Sequence, residues 1–120
     1  MKVAVDTDVL WAFFMKDKAA AELIDAQSTV YVPAPVYGEL LAALRNDSPY
    51  AQNVTQLNAF MEDSAVEVLQ IGPETAEYYA RIYQDLPSHY LWVAALCLEH
   101  GCELATHDQN FKQIPQLTLC

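Results

Sequence analysis

The chain has 120 residues, 53% of them hydrophobic and 18% charged, enough for one core and too apolar for a disordered tail or a disulfide miniprotein. Sixteen Asp and Glu face six Lys and Arg, a formal net charge of -10. A protein that grips nucleic acid through basic side chains has the opposite balance, so a nucleic-acid partner must be met through bound cations or a few placed basic residues. Only 3 glycines argue against collagen-like and glycine-loop nucleotide-binding designs. The odd cysteine count (Cys97, Cys102, Cys120) fits a reducing compartment better than a disulfide framework. The N-terminus, MKVAVDTDVLW, lacks a signal-peptide shape, and no apolar run reaches membrane-spanning length. The expectation is one cytoplasmic domain over residues 1–120 with no membrane partner.

In chain order, Lys2 to Val5 is a short β-branched run that ends at Asp6 and reads as a first strand. Thr7 to about Met15 reads as a short helix, and Lys16 to Gln27 continues helically with Ala19, Leu23 and Ile24 on one side. Thr29 to Val32 is a second strand closed by Pro33. Pro35 opens a helix to about Asn46, with Val36, Leu40 and Leu44 on one stripe. Asn46-Asp47-Ser48-Pro49 is a turn, followed by a helix from Tyr50 to about Met61. Val66 to Ile71 is a third strand, stopped by Gly72-Pro73. Glu74 to Gln84 is a helix with acid in its first turn, where the macrodipole favours it. The next helix opens near Pro87-Ser88, with Ser88 as the expected cap, and ends at Gly101. Its stretch Leu91–Leu98 is apolar nearly all round, as in a central, buried helix. Glu103 to Thr106 is a fourth strand, and Leu117 to Leu119 has the character of a fifth. Strands separated by helices imply an α/β fold with a parallel sheet of about five strands between helical layers. Sites in such folds lie at the carboxyl ends of the strands.

That rule makes three acids informative. Asp6 follows the first strand directly, Asp108 follows the fourth by two residues, and Glu39 lies early in the helix after the second strand. Glu39 is also the only charge in VYGELLAAL. Singly, Asp6 fits a helix cap, Asp108 a turn residue and Glu39 an edge residue. Together they converge on one sheet edge. Clustered carboxylates repel and raise each other's pKa, and a divalent cation relieves this. Oxygen ligands suit Mg²⁺ or Mn²⁺, which can activate water against a phosphodiester.

Four stretches carry a resemblance to a known family: VAVDTDVL, PVYGELLAAL, LWVAALCLEHGCELATHDQNF and QIPQLTL. Taken in order, they resemble a PIN domain, specifically the VapC-type toxin ribonucleases of toxin–antitoxin pairs. The resemblance spans nearly the whole chain; its strength is the combination and not any single motif. It implies Asp6, Glu39 and Asp108 as catalytic, metal-binding acids, with Thr106 beside them. It implies a PIN-like three-layer α/β/α fold, often a homodimer, and Mg²⁺- or Mn²⁺-dependent endonucleolytic cleavage of RNA. A cognate antitoxin would hold that activity in check, offering an Arg or Lys to the acidic pocket in place of metal.

One position departs from the family pattern. An aspartate usually stands just before the Leu-Trp-Val-Ala-Ala stretch; here Tyr90 does, preceded by His89. The nearest upstream carboxylate is Asp85. The alternative function is therefore a catalytically weakened PIN-like module that binds antitoxin or RNA. A third reading, from Asp6-Thr7-Asp8, is aspartyl phosphoryl transfer of the haloacid-dehalogenase kind, but Leu10 and Trp11 stand where a small polar residue is needed. Trp11, Phe13, Phe14 and Trp92 read as core or dimer contact, the Tyr78–Tyr83 stretch as packing before base stacking. Lys16, Lys18, Arg45, Arg81 and Lys112 are candidate phosphate contacts.

Overall fold

The computed structural model describes residues 2–46 and 50–120. The expected turn at Asn46-Asp47-Ser48-Pro49 falls, beyond Asn46, outside the described residues. Four short strands form the sheet: β1 (Lys2–Val5), β2 (Val30–Pro33), β3 (Val66–Leu69) and β4 (Cys102–Ala105). Their order is β3-β2-β1-β4, every pair is parallel, and helices flank the sheet. The register sets Val3 beside Val30, Val5 beside Ala105 and Val32 beside Val68. β1 is central and pairs on both sides, so Ala4 and Val5 are wholly excluded from solvent. Near-continuous apolar sequence is what a strand covered on both faces requires. The fifth place in the sheet is filled by one rung: Leu104 N donates to Thr118 O at 2.9 Å, and Cys120 N donates to Leu104 O at 3.1 Å.

The helices are α1 (Thr7–Phe14), α2 (Lys18–Asp25), α3 (Ala34–Arg45), α4 (Tyr50–Glu62), α5 (Pro73–Ile82) and α6 (Ser88–His100). The sequence reads as helical from Lys16, but α2 starts two residues later. Lys16 adopts φ 64, and the Asp17 side chain caps Ala20 N at 3.0 Å. A left-handed residue stops one helix and an Asp cap starts the next, so the axis turns between them. Ser88 is not a cap: it is the first residue of α6, and Pro87 holds the cap position with no side-chain hydrogen bond. α6 is buried as its composition demands, with Leu91 and Val93 to Cys97 inside the core. It ends at Gly101, φ 66, the left-handed conformation in which a side chain is strained.

Several aromatic residues pack against one another, while Tyr83 is exposed. Phe13, Phe14 and Phe60 form a cluster with ring centroids 5.4 to 5.5 Å apart. Tyr79 lies 4.3 Å from Trp92, and Arg81 sits over the Tyr78 ring. Among the described residues, no helix is long and apolar enough to cross a membrane.

Candidate metal centre

The site is built from the carboxyl ends of three strands. β1 hands the chain to Asp6, which caps α1: its Oδ1 accepts from Thr7 N at 2.8 Å. Asp6 N donates to Ala105 O at 3.0 Å, which ties the start of α1 to the end of β4. α3 follows β2 and carries Glu39 in its second turn. The segment after β4 carries Thr106 and Asp108 into a 3₁₀ turn over Gln109–Gln113. The start of α6 contributes His89 and Tyr90. A cleft of about 450 Å³ results, lined by Asp6, Asp8, Glu39, His89, Tyr90 and Asp108, with Trp11 and Ala43 as apolar wall. A smaller cavity of about 130 Å³, lined by Val9, Leu23 and Cys120 among others, has no Asp or Glu in its lining.

The three acids expected from the sequence thus face one cleft, but in different environments. Asp6 is 4% exposed. Burial pushes its carboxyl above the ordinary value, against hydrogen bonds from Thr106 and Thr7, and the Asp8 charge adds to the rise. Thr106 Oγ1 donates to Asp6 Oδ2 at 2.7 Å and accepts from Asp108 N at 3.0 Å, so one hydroxyl couples two of the acids. Asp108 is held below the ordinary value, first by the backbone N–H of Asn110 on Oδ1. Glu39 is half exposed and raised, first by desolvation, with Asp6 adding and His89 opposing. His89 Nδ1 meets Glu39 Oε1 directly. Tyr90 donates its hydroxyl to Asp108 Oδ2 at 2.8 Å, and this bond raises the phenol above its ordinary value.

Sequence reasoning gave Asp8 no role at the metal site. Its Oδ2 accepts from His107 N at 3.0 Å, while Oδ1 is buried without a hydrogen-bond partner. The Asp-x-Asp spacing was the available signal. Asp85 is exposed and does not line the cleft, and neither do Lys16, Lys18, Arg45, Arg81 and Lys112. Lys18 and Arg81 are instead paired loosely with Glu22 and Glu77, both at 3.9 Å.

All the candidate donors are hard carboxylate oxygens, one of them orphaned and buried, and a repelling set of this kind fits Mg²⁺ or Mn²⁺ in chemistry. Among the described residues, no three His, Cys, Asp or Glu side chains are grouped tightly enough to hold an ion as they stand. All three expected acids are already engaged, Asp6 by Thr7 and Thr106, Glu39 by His89, and Asp108 by Asn110 and Tyr90.

The profile of the PIN domain family matches residues 3–117. PIN-domain nucleases generally use divalent metal ions. No curated protein sequence matches the chain. Among solved structures, it is similar to a VapBC complex from Rickettsia felis bound to a promoter DNA fragment, with TM-score 0.86 and 19% identity, covering 100% of this chain and 98% of that one. A VapBC structure from nontypeable Haemophilus influenzae matches with TM-score 0.82 and 20% identity over 100% of this chain and 97% of the other. A sarcin–ricin loop-cleaving VapC toxin from Mycobacterium tuberculosis matches with TM-score 0.74 and 17% identity over 93% and 94%.

Proposed function

The chain belongs to the PIN domain family, and from that premise we propose that it is a metal-dependent endoribonuclease, the toxin of a type II toxin–antitoxin pair. The observation that carries this reading is the meeting of Asp6, Glu39 and Asp108 in one cleft at the carboxyl edge of the sheet. Asp6 and Asp108 are the residues to hold the principal ion, with Glu39 assisting directly or through water and orienting the nucleophile. When bound, Mg²⁺ or Mn²⁺ would activate water and neutralise charge on the phosphodiester. Thr106 keeps Asp6 and Asp108 in fixed relation through its hydroxyl. Asp6 is buried, and a cation held there would meet less solvent screening, which strengthens charge interactions. A net charge of -10 makes the ion the means by which so acidic a protein meets RNA.

The VapBC neighbours support a cognate antitoxin as partner. The antitoxin's chemistry at this cleft is a basic side chain that pairs with the carboxylates in competition with metal. A cytoplasmic homodimer of single PIN-like domains over residues 1–120 completes the proposal. Purified protein with Mn²⁺ should cleave a structured RNA, and Asp6→Asn should abolish the cleavage. Metal-dependent cleavage unchanged by that substitution would sink the assignment. Tight antitoxin binding with no turnover at any Mn²⁺ concentration would favour the weakened binding module instead.

A further inference from the structure

Position 90 carries more than a missing acid. Its phenol is the third member of a directional chain: Gln113 Nε2 donates to Asn110 Oδ1 at 3.1 Å, Asn110 Nδ2 to the Tyr90 hydroxyl at 3.0 Å, and that hydroxyl to Asp108 Oδ2 at 2.8 Å. The ring itself is fixed. It stands edge-on to Phe111, centroids 5.0 Å apart and planes at 73°, and Phe111 is fully buried. His89 makes a second edge contact at 5.4 Å.

The consequence falls on Asp108. Its Oδ1 accepts from Asn110 N at 3.0 Å, and its Oδ2 accepts from Tyr90. A carboxylate oxygen has two lone pairs, so each oxygen keeps one pair free, in a direction set by the bond already made. Asp108 is thereby held in one orientation, with one directed pair left on each oxygen for a cation. The phenol hydrogen points at Asp108 and the phenol oxygen accepts from Asn110 Nδ2, so the hydroxyl is turned to neighbouring side chains and adds no carboxylate oxygen to the cleft. Position 90 supplies a donor where the cleft would need an oxygen anion to hold a second cation.

We propose that Tyr90 is a positioning residue that fixes Asp108 as a ligand of a single divalent cation, so that the cleft takes one ion where an acid at position 90 would let it take two. The proposal rests on the metal-dependent reading above and deepens it. Outer partners that orient a metal-binding side chain typically change metal affinity by about 10–100-fold when removed.

The test is calorimetric titration of Mn²⁺ into wild type, Tyr90→Phe, Tyr90→Asp and Asn110→Ala, with the fold of each checked by thermal unfolding without metal. Wild type should bind one ion. Tyr90→Phe should also bind one, about 10-fold more weakly, because the ring remains and only the orienting hydroxyl is gone. Tyr90→Asp should bind two. Asn110 is exposed and its replacement leaves the core intact, so Asn110→Ala keeps the test available if a Tyr90 variant misfolds. Removal of its side chain should weaken the single ion by less than Tyr90→Phe does, since the phenol stays and loses only its own brace. Two ions on wild type, wild-type affinity in Tyr90→Phe, or one ion in Tyr90→Asp would overturn the proposal alone. A wild type that binds no Mn²⁺ overturns both the proposal and the metal-dependent reading. RNA cleavage unaffected by Asp6→Asn, with the ion counts as expected, defeats only the earlier reading.

Discussion

Asp6 and the pair Glu39 and Asp108 share a cleft but are held by different means. Asp6 is buried, and its oxygens are satisfied by a backbone donor, Thr7 N, and by the hydroxyl of Thr106 just past β4. Glu39 and Asp108 lie further out and are engaged by side chains of a distant helix, His89 and Tyr90. The inner acid is set by strand pairing and helix initiation, while the outer acids depend on which side chains α6 presents. Charge burial is costly at the first place and screened at the second, so substitutions there should differ in kind.

The largest effect is expected at Asp6. Asp6→Asn should lower cleavage by more than about 100-fold while making the metal-free protein more stable at pH 7, by roughly 1 kcal/mol or more. The sign follows from the raised carboxyl. A group whose folded pKa exceeds its unfolded value stabilises the fold fully when protonated, below about pH 4, and loses that contribution as pH rises through the folded value. Asn is as good a helix cap as Asp, so the cap survives. Denaturant unfolding of both forms at pH 4 and pH 7 measures this. A stability difference independent of pH would show that the Asp6 charge is not strained.

Thr106 joins the two regions, and Thr106→Val tests whether they act together. It leaves Asp6 Oδ2 without its donor and Asp108 N without its acceptor. We expect a loss of about 1–3 kcal/mol in stability and about 10-fold in Mn²⁺ affinity. Unchanged affinity with lowered stability would mean that the inner and outer acids are independent.

The smallest effect is expected at His89. Its contact with Glu39 is partly exposed, so His89→Ala should shift stability by no more than about 1 kcal/mol. Freed of that partner, Glu39 becomes available, and Mn²⁺ should bind about 2–3-fold more tightly, a gain of about 0.5 kcal/mol. Weaker binding would reveal His89 as a support for Glu39 instead of a competitor.

The sequence reveals some elements of this molecule more plainly than others. Parallel strands covered on both faces leave near-continuous apolar runs, so Val3–Val5, Val30–Val32 and Leu104–Ala105 declare themselves, and all but the half-buried Tyr31 are buried. Asp6 follows a strand and Glu39 interrupts an apolar helix, so both were conspicuous. Helix boundaries were less open. A lysine in the left-handed conformation at position 16 has no compositional mark, and Ser88 had the right chemistry for a cap one residue from where the cap lies. Asp8 was visible only as half of an Asp-x-Asp spacing that suits more than one chemistry.

The sequence by itself determined which segments form the parallel sheet, to within one or two residues at their ends, and which edge collects the acids. Both follow from hydrophobic pattern and from the rule that places sites at strand carboxyl ends, properties of local chain order. Only the tertiary structure decided who holds those acids. Thr106 reaches Asp6 across 100 positions of chain, and Tyr90 reaches Asp108 across 18. A hydrogen bond between residues so far apart in the chain has no period or spacing in the sequence. It exists because β1, β4 and the start of α6 pack with their ends together, and its direction depends on angles that only folded side chains possess.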